Sequence, residues 1–165
     1  MRPFEPQDLS QLQRYAVREA FWRHLPLDRQ TEESVAAFLD RRLADRWGEG
    51  GFQCAVELLA VGHIIGTIRI SVTSTAHRAG DIGFALDDEH RGQGYMTEAA
   101  RHILSVGFDD LGLHRIWASA SVDNVDSWRL MERIGMRREG LLRDHKCIRG
   151  SWRDSYLYSV LETDG

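Results

Sequence analysis

A short basic segment with two glycines, Arg91-Gly92-Gln93-Gly94, lies between a predicted strand and a predicted helix. Glycine lets the backbone turn sharply and lets an anion approach the main-chain amides closely. The free N–H groups of a first helical turn point at such an anion, which the helix dipole also favours. The guanidinium of Arg91 adds a permanent charge suited to phosphate. The segment is therefore a candidate pyrophosphate site, although glycine turns before helices also occur for purely conformational reasons.

Spacing separates this segment from two common nucleotide-binding loops. A P-loop requires GxxxxGK[ST], and the chain contains no Gly-Lys pair. A dinucleotide fingerprint requires a third glycine where Thr97 stands, and it belongs to the first βα unit of its fold. Here two predicted helices and three predicted strands come first. The segment fits neither site.

The order of the predicted elements defines the fold class. Periodicity predicts a first helix from Leu9 to about His24 and a second helix after the N-cap Thr31. Strands are predicted at residues 52–59, 64–73, 81–86, 114–121, 137–147 and 152–161, and further helices at 94–107 and 125–134. The fold class is α+β, with a mixed sheet and one strand–helix–strand crossover in the middle.

Several motifs, in this order, resemble the GNAT superfamily of N-acetyltransferases. The stretch IGFALDDEHRGQGYMTEAARHIL resembles its acyl-CoA motif, Q/R-x-x-G-x-G/A after a strand. The run from Asn124 to Met136 resembles N-x-x-S…(E/K)-x-(L/I)-G-F, and residues 138–143 and 152–158 resemble later motifs. GYMTEA and the early Arg2-Pro3-Phe4 are similar to the RimJ/RimL branch, which acetylates ribosomal-protein N-termini.

The resemblance implies one GNAT domain over residues 1–165, a mixed twisted sheet of six to seven strands flanked by four helices. It implies acetyl-CoA as the cofactor, with coenzyme A as product. The residues expected at the cofactor are Phe84, Ala85, Leu86, Arg91, Gly92, Gln93, Gly94, Tyr95, Met96, Thr97, Asn124 and Ser127. Main-chain groups of residues 84–86 would bind the pantetheine arm, because the family splays this strand from residues 114–121. Met96 replaces the usual glycine or alanine, but the contact needs only its amide.

Acetyl transfer to an amine requires a neutral amine, a stabilised oxyanion and a proton for the leaving thiolate. The resemblance implies direct attack in a ternary complex. Many GNAT enzymes donate the proton from a tyrosine, and Met131 stands at that position here. The branch implies Ser127 near the thiolate and Asn124 on the pantetheine arm. Both side chains also suit the start of a helix, where a cap and a ligand contact can coexist.

Two carboxylates are candidates for the base. The branch implies Glu139, and Asp81 opens a strand where the superfamily often carries a base or a base-bound water. Because Glu139 follows Arg137 and Arg138, it is equally interpreted as an ion-paired surface group with a lowered pKa. Action through a bound water tolerates either carboxylate.

The acceptor amine is expected between the first two helices and the final hairpin. Candidates to line its site are Trp22, Trp47, Trp152, Tyr156 and the basic cluster Arg137–Arg153, although large aromatic residues are more often core. The branch favours a protein or peptide N-terminal α-amine. The alternatives are a small amine, such as a polyamine, antibiotic or peptide toxin, for which Glu32 and Glu33 offer negative charge, and a catalytically idle CoA-binding module.

Composition bounds the remaining classes. The 165 residues are 42% apolar and 28% charged, as in an ordinary soluble domain. A net charge of −4 gives no argument for nucleic-acid binding, and no apolar run approaches a membrane helix. Cys54 and Cys147 match no zinc spacing, so no metal is expected. The expectation is a cytoplasmic enzyme without nucleic-acid or membrane partners, and the resemblance to the branch makes a homodimer one candidate assembly.

Overall fold

The computed structural model describes residues 1–25, 27–44 and 50–164. In these ranges the α-helices are α1 (Leu9–Ala16), α2 (Glu19–Trp22), α3 (Glu32–Ala44), α4 (Tyr95–Asp109) and α5 (Val125–Arg133). The strands are β1 (Gly51–Leu58), β2 (His63–Ser74), β3 (Ala79–Leu86), β4 (Arg115–Ser121), β5 (Arg137–Ile148) and β6 (Ser151–Leu161). Short 3-10 helices span Pro6–Asp8 and Asp88–His90. Within these ranges no helix is long and apolar enough to cross a membrane.

The six strands form one mixed sheet in the order β1-β2-β3-β4-β6-β5. Only β3 and β4 pair in parallel, and α4 connects them as the predicted crossover. The two hairpins, β1–β2 and β5–β6, are antiparallel. Before β1, Arg2 makes an isolated antiparallel bridge to Ala55. The predicted α+β class and mixed sheet are confirmed.

The first predicted helix is interrupted at Arg18. This residue has an extended backbone (φ −75°, ψ 137°) and separates α1 from α2. Its guanidinium forms ion pairs with Asp87, with Asp88 at 3.2 Å and with Glu89 at 2.5 Å. The prediction of one continuous helix was wrong here. Local periodicity cannot include these carboxylates, because they lie far along the sequence from Arg18. Through these ion pairs, Arg18 connects the first helical region to the loop before the glycine segment.

The second predicted helix begins as expected. The hydroxyl of Thr31 accepts a hydrogen bond from the Ser34 amide at 3.2 Å, and the Thr31 amide donates to Ser34 Oγ at 2.9 Å. This reciprocal pair satisfies free donors at the start of α3. The N-cap assigned to Thr31 is confirmed.

The sheet has two different faces. Helices α4 and α5 cover the first face, and its core includes Ile68, Ile82, Ile103, Ile116, Ala118 and Met131. Helices α1 and α3 pack over the second face at β1 and β2, with a core that includes Leu12, Tyr15, Leu39 and Ile64. Since neighbouring residues of a strand point to opposite faces, Asp81, Gly83, Trp117 and Ser119 lie on the second face.

Candidate functional site

A cleft opens between β3 and β4. These strands pair at only three positions, Ala79–Arg115, Gly80–Ile116 and Asp81–Trp117. β3 stays paired with β2 as far as Leu86, and β4 stays paired with β6 as far as Ser121. The main-chain groups of Phe84, Ala85 and Leu86 that face β4 are therefore left without a strand partner. This is the splay that the resemblance implies.

The glycine segment begins α4 at this cleft. Gly92 (φ 75°) and Gly94 (φ 86°) have left-handed backbone conformations, which glycine adopts at least cost. A Cβ added to either residue would meet no atom within 4 Å. Backbone conformation therefore requires glycine here, and the adjacent space is open. Gly94 is the N-cap of α4 without a side-chain cap, and the Thr97 amide donates to its carbonyl at 2.9 Å. The N–H groups of Tyr95 and Met96, at the start of the first turn, are left available to an anion.

A cavity of about 890 Å³ lies between β3, the start of α4, the start of α5 and α2. The predicted cofactor residues that line it are Phe84, Ala85, Leu86, Arg91, Gly92, Gly94, Tyr95, Met96, Thr97, Asn124 and Ser127. Gln93 is exposed and does not line the cavity, and its side-chain oxygen accepts a hydrogen bond from the Tyr95 hydroxyl at 3.2 Å. The structure thus brings together all of the predicted set except Gln93.

Three arginines that line the cavity were not predicted from the sequence. Arg101 lies on α4, and Arg129 and Arg133 lie four residues apart on α5, which places these two on one side of the helix. Arg101 donates to the carbonyl of Arg133 at 3.2 Å and so links the two helices. The signal available in the sequence was the i,i+4 spacing of arginines directly after Ser127. Together the three guanidiniums make this side of the cavity suited to anionic groups.

The region around α2 also contributes to the lining. Phe21, His24 and Leu25 face the cavity, although no motif marked them. Burial lowers the pKa of His24, and the positive charges of Arg23 and Arg91 lower it further. His24 is therefore favoured in its neutral form. This wall depends on the position of α2, which the break at Arg18 sets.

Asn124 and Ser127 begin α5 at the cavity. Asn124 occupies the N-cap position, but its side chain makes no capping hydrogen bond, and only its carbonyl accepts from the Ser127 amide, at 3.1 Å. The side-chain amide of Asn124 is therefore left unused by the helix. Met131 is 2% exposed and packs in the first core, so this position gives the cavity no proton donor.

The two candidate bases have different surroundings, and neither lines the cavity. Asp81 is buried at the last register pair before the cleft and pairs with Arg69 at 2.5 Å. Glu139 lies on β5, three strand spacings or about 14 Å from β3. The structure brings Asp81, but not Glu139, to the point where the strands separate.

Glu139 is an ion-paired group, as its second interpretation predicted, but the partner is Arg115. Both carboxylate oxygens of Glu139 accept from Arg115, one of them at 2.6 Å, and one accepts from Ser159 Oγ at 2.7 Å. The hydrogen bonds from Arg115 lower the pKa of Glu139 to about 2. The neighbouring Arg137 and Arg138 contact other groups, namely Asp164 and the Tyr156 ring.

Of the aromatic residues considered for the acceptor, those in the described part of the chain lie outside the cavity lining. Trp22 is buried, Tyr156 packs on Trp128, and Trp152 is 63% exposed. Trp47 lies outside the described residues. Glu32 and Glu33 occupy the exposed first turn of α3 and do not line the cavity.

The β5–β6 hairpin reaches α2 through Arg149. Its guanidinium donates to the carbonyls of Arg23 at 2.5 Å and Leu27 at 3.0 Å, and lies 5.0 Å from the centre of the Trp22 ring. We call these contacts the Arg149 bridge. The bridge joins the turn of the hairpin to the region around and after α2. Much of the predicted basic cluster thus serves internal contacts.

Comparison with known proteins identifies the family. The acetyltransferase (GNAT) domain family matches residues 1–137. The chain is 32% identical over 166 residues to an uncharacterized N-acetyltransferase, YnaD, from Bacillus subtilis, covering 99% of this chain and 94% of that protein. The crystal structure of a GNAT-family acetyltransferase from Bacillus anthracis superposes with a TM-score of 0.86 at 31% identity, covering 98% of this chain and 93% of that one.

Relatives with named acceptors differ from one another. An Escherichia coli [ribosomal protein uS5]-alanine N-acetyltransferase is 30% identical over 102 residues, which are 61% of this chain and 53% of that protein. A spermidine N(1)-acetyltransferase from Vibrio cholerae is 26% identical over 101 residues, which are 61% of this chain and 58% of that protein. The comparisons therefore agree on N-acetyl transfer and leave the acceptor open.

Proposed function

This chain belongs to the GNAT acetyltransferase family, and we propose that its single domain acetylates an N-terminal α-amine of a protein or peptide with acetyl-CoA. The proposal that acetyl-CoA is the cofactor is supported above all by one observation, the separation of β3 from β4 beside the glycine segment. The acceptor half rests on the similarity to the uS5-alanine acetyltransferase and on the RimJ/RimL-like motifs.

The residues of the cleft fit acetyl-CoA. The open space beside Gly92 and Gly94 and the uncapped start of α4 suit the pyrophosphate. The unpaired main-chain groups of residues 84–86 suit the amides of the pantetheine arm. The guanidiniums of Arg101, Arg129 and Arg133 suit the remaining phosphate. Acetyl-CoA would supply the activated thioester.

Asn124 and Ser127 would serve the thioester end. The unused amide of Asn124 can bind the pantetheine arm, since the helix does not engage it. Ser127 lines the cavity in the first turn of α5, where its hydroxyl can donate a proton or a hydrogen bond to the departing sulfur. Ser127 takes the role that Met131 cannot perform.

Asp81 is the better placed of the two carboxylates. It lies where β3 and β4 separate, on the face opposite α4 and α5, so a water between it and the amine can carry the proton away. Its partner Arg69 keeps the carboxylate paired. Glu139 holds Arg115 in place, and strands β6 and β4 lie between Glu139 and the cleft.

The acceptor proposal is tested by measuring free thiol released from acetyl-CoA. One set of amines contains short peptides with free N-termini, and the other contains spermidine and other small amines. We expect the peptides to be acetylated on the α-amine, with the site located by mass spectrometry. Turnover of spermidine but of no peptide would overturn the α-amine assignment. Tight CoA binding with no turnover of any amine would support the idle module instead.

A further inference from the structure

Two cations flank the cleft on the second face of the sheet. Gly83 on β3 and Ser119 on β4 are the first residues of this face beyond the last register pair. The guanidinium of Arg69 lies over Gly83, since a Cβ added there would come within 2.9 Å of its Nε and 3.3 Å of its Cζ. Across the gap, Nζ of Lys146 donates to Ser119 Oγ at 3.2 Å.

Lys146 is a half-buried cation, and it is the one lysine in the sequence. Throughout residues 1–25, 27–44 and 50–164, no carboxylate oxygen forms an ion pair with its Nζ at 4.0 Å or less. Burial lowers the pKa of Lys146, the positive charge of Arg69 lowers it further, and the negative charge of Asp81 raises it. A bound anion would therefore relieve the repulsion between Lys146 and Arg69.

Arg69 is only partly neutralised. It pairs with Asp81 and donates to Ser71 Oγ at 2.8 Å, while its side chain remains 40% exposed. Arg69, Lys146 and Asp81 together carry one net positive charge. Further along this face, Arg115 and Glu139 neutralise each other. The second face thus has an excess of positive charge at the point where the strands separate.

A buried hydroxyl on the same face is also unsatisfied. Ser155 on β6 is 1% exposed, and its Oγ has no hydrogen-bond partner among the described residues. It pairs in register with Ser121, one step beyond the pair Ser119–Leu157 on this face. Buried hydroxyls are normally hydrogen-bonded, so this group is suited to a polar ligand.

The Arg149 bridge fixes the end of the hairpin beside this region. Lys146 lies three residues before Arg149, on the part of β5 that reaches toward α2. The bridge therefore restrains the strand that carries Lys146. Charge-assisted hydrogen bonds from a half-buried lysine are stronger than those from a fully exposed one.

We propose that Arg69 and Lys146 bind a carboxylate of the acceptor, held a few bonds from the amine that is acetylated. This inference rests on the proposed N-acetyltransferase function and narrows its substrate class. The carboxylate belongs either to an acidic residue at the start of a peptide or to a free amino acid. A polyamine is disfavoured because its second ammonium meets two cations. The site takes part in binding only and makes no covalent bond.

Kinetics with matched acceptors test the selectivity. Peptides beginning Ser-Asp and Ser-Asn differ only in the carboxylate, and free aspartate and its diamide form the second pair. We expect kcat/KM to favour each acid by about tenfold in the wild-type protein, and Lys146→Met to bring kcat/KM for each acid down to that of its amide. Lys146→Glu should reverse the preference. Arg143→Met, an exposed cation on the same strand, should leave it unchanged.

The pair that shows the larger preference identifies the source of the carboxylate. Preference for Ser-Asp alone assigns the site to a peptide side chain, and preference for free aspartate alone assigns it to an amino acid. Equal rates for acid and amide in both pairs, or an acid preference that survives in Lys146→Met, would overturn the proposal.

Binding gives a measurement that does not require turnover. Reductive methylation with isotopically labelled formaldehyde keeps the lysine charge and gives one lysine NMR signal, because Lys146 is the only lysine. We expect succinate, added with CoA, to shift this signal, and succinamide to leave it unmoved. No shift with succinate contradicts the carboxylate site even if amines are acetylated. A shift without acetylation of any amine supports the carboxylate site and contradicts the proposed function.

Discussion

Asp81 and Trp117 form the last register pair between β3 and β4, and beyond them the two strands separate. The cavity beside the glycine segment lies on the side of α4 and α5, whereas Asp81, Arg69 and Lys146 lie on the opposite face. In the proposed function, the gap beyond this pair is the place where the thioester meets an amine from the other side of the sheet.

Replacing Gly94 with alanine should weaken CoA binding by about tenfold or more, because the left-handed conformation costs about 1–2 kcal/mol in any residue with a Cβ. The added methyl group also points into the open space beside the loop. Calorimetric titration with CoA measures the effect. Gly112→Ala is the matched control, since Gly112 (φ 61°) has the same kind of backbone and the same open surroundings far from the cavity. Equal CoA affinities for both variants would refute the assigned site.

Ser127→Ala should lower kcat by about a hundredfold, the usual size of a lost proton donor, and change the Kd for CoA less than about twofold. The hydroxyl is assigned to the leaving sulfur, so its loss affects the chemical step more than ground-state binding. Thiol release and calorimetry give the two quantities. Ser105→Ala removes an exposed helical hydroxyl that bonds to Asp109 at 2.7 Å and should change neither quantity. An unchanged kcat in Ser127→Ala would exclude the role.

Asp81→Asn should lower kcat by about a hundredfold near neutral pH, because the amide cannot accept the proton that the amine releases. The deficit should shrink at alkaline pH, where more of the amine is already neutral. Ser71→Ala is the control, since it removes another partner of Arg69 and keeps the Asp81 carboxylate. If Ser71→Ala loses as much activity as Asp81→Asn, the carboxylate only positions Arg69.

Glu139→Gln should affect stability more than catalysis. The pKa of Glu139 falls from 4.5 to about 2 on folding, so its ion pair stabilises the protein above pH 4.5 and loses that effect as pH falls toward 2. We expect the variant to lose about 1 kcal/mol of unfolding free energy at pH 7, a value limited by the exposure of the pair, and less at pH 3. Denaturant unfolding at both pH values measures this. Loss of turnover at unchanged stability would instead identify Glu139 as the base.

Most of the cavity lining was predictable because its residues are nearly continuous in sequence. Residues 91–97 form one loop and helix start, and Asn124 and Ser127 begin the next helix, so local spacing carried the information. The ion pair of Glu139 was not predictable in the same way. The partner of Glu139 is Arg115, 24 residues away, whereas the sequence offered only its neighbours Arg137 and Arg138.

The region proposed for the acceptor depends on contacts that no local sequence pattern contains. The break between α1 and α2 is held by Arg18 and Asp87, which are 69 residues apart. Lys146 reaches Ser119 only because β6 lies between β5 and β4 in the sheet. From the sequence alone, Lys146 was grouped with Arg149 and Arg153 in one basic cluster. The order of strands in the sheet distinguishes their surroundings, and the sequence does not contain that order.

The separation of β3 from β4 has a consequence for the protein without its cofactor. A sheet normally exposes two strand edges. This sheet has two more in its interior, because β3 beyond Asp81 and β4 beyond Trp117 have no neighbouring strand on the side of the cleft. Open edges invite pairing with other chains. A pantetheine arm laid between β3 and β4 would act as a missing strand and block such pairing. Saturation with CoA should therefore protect the folded protein against aggregation as well as prepare it for catalysis.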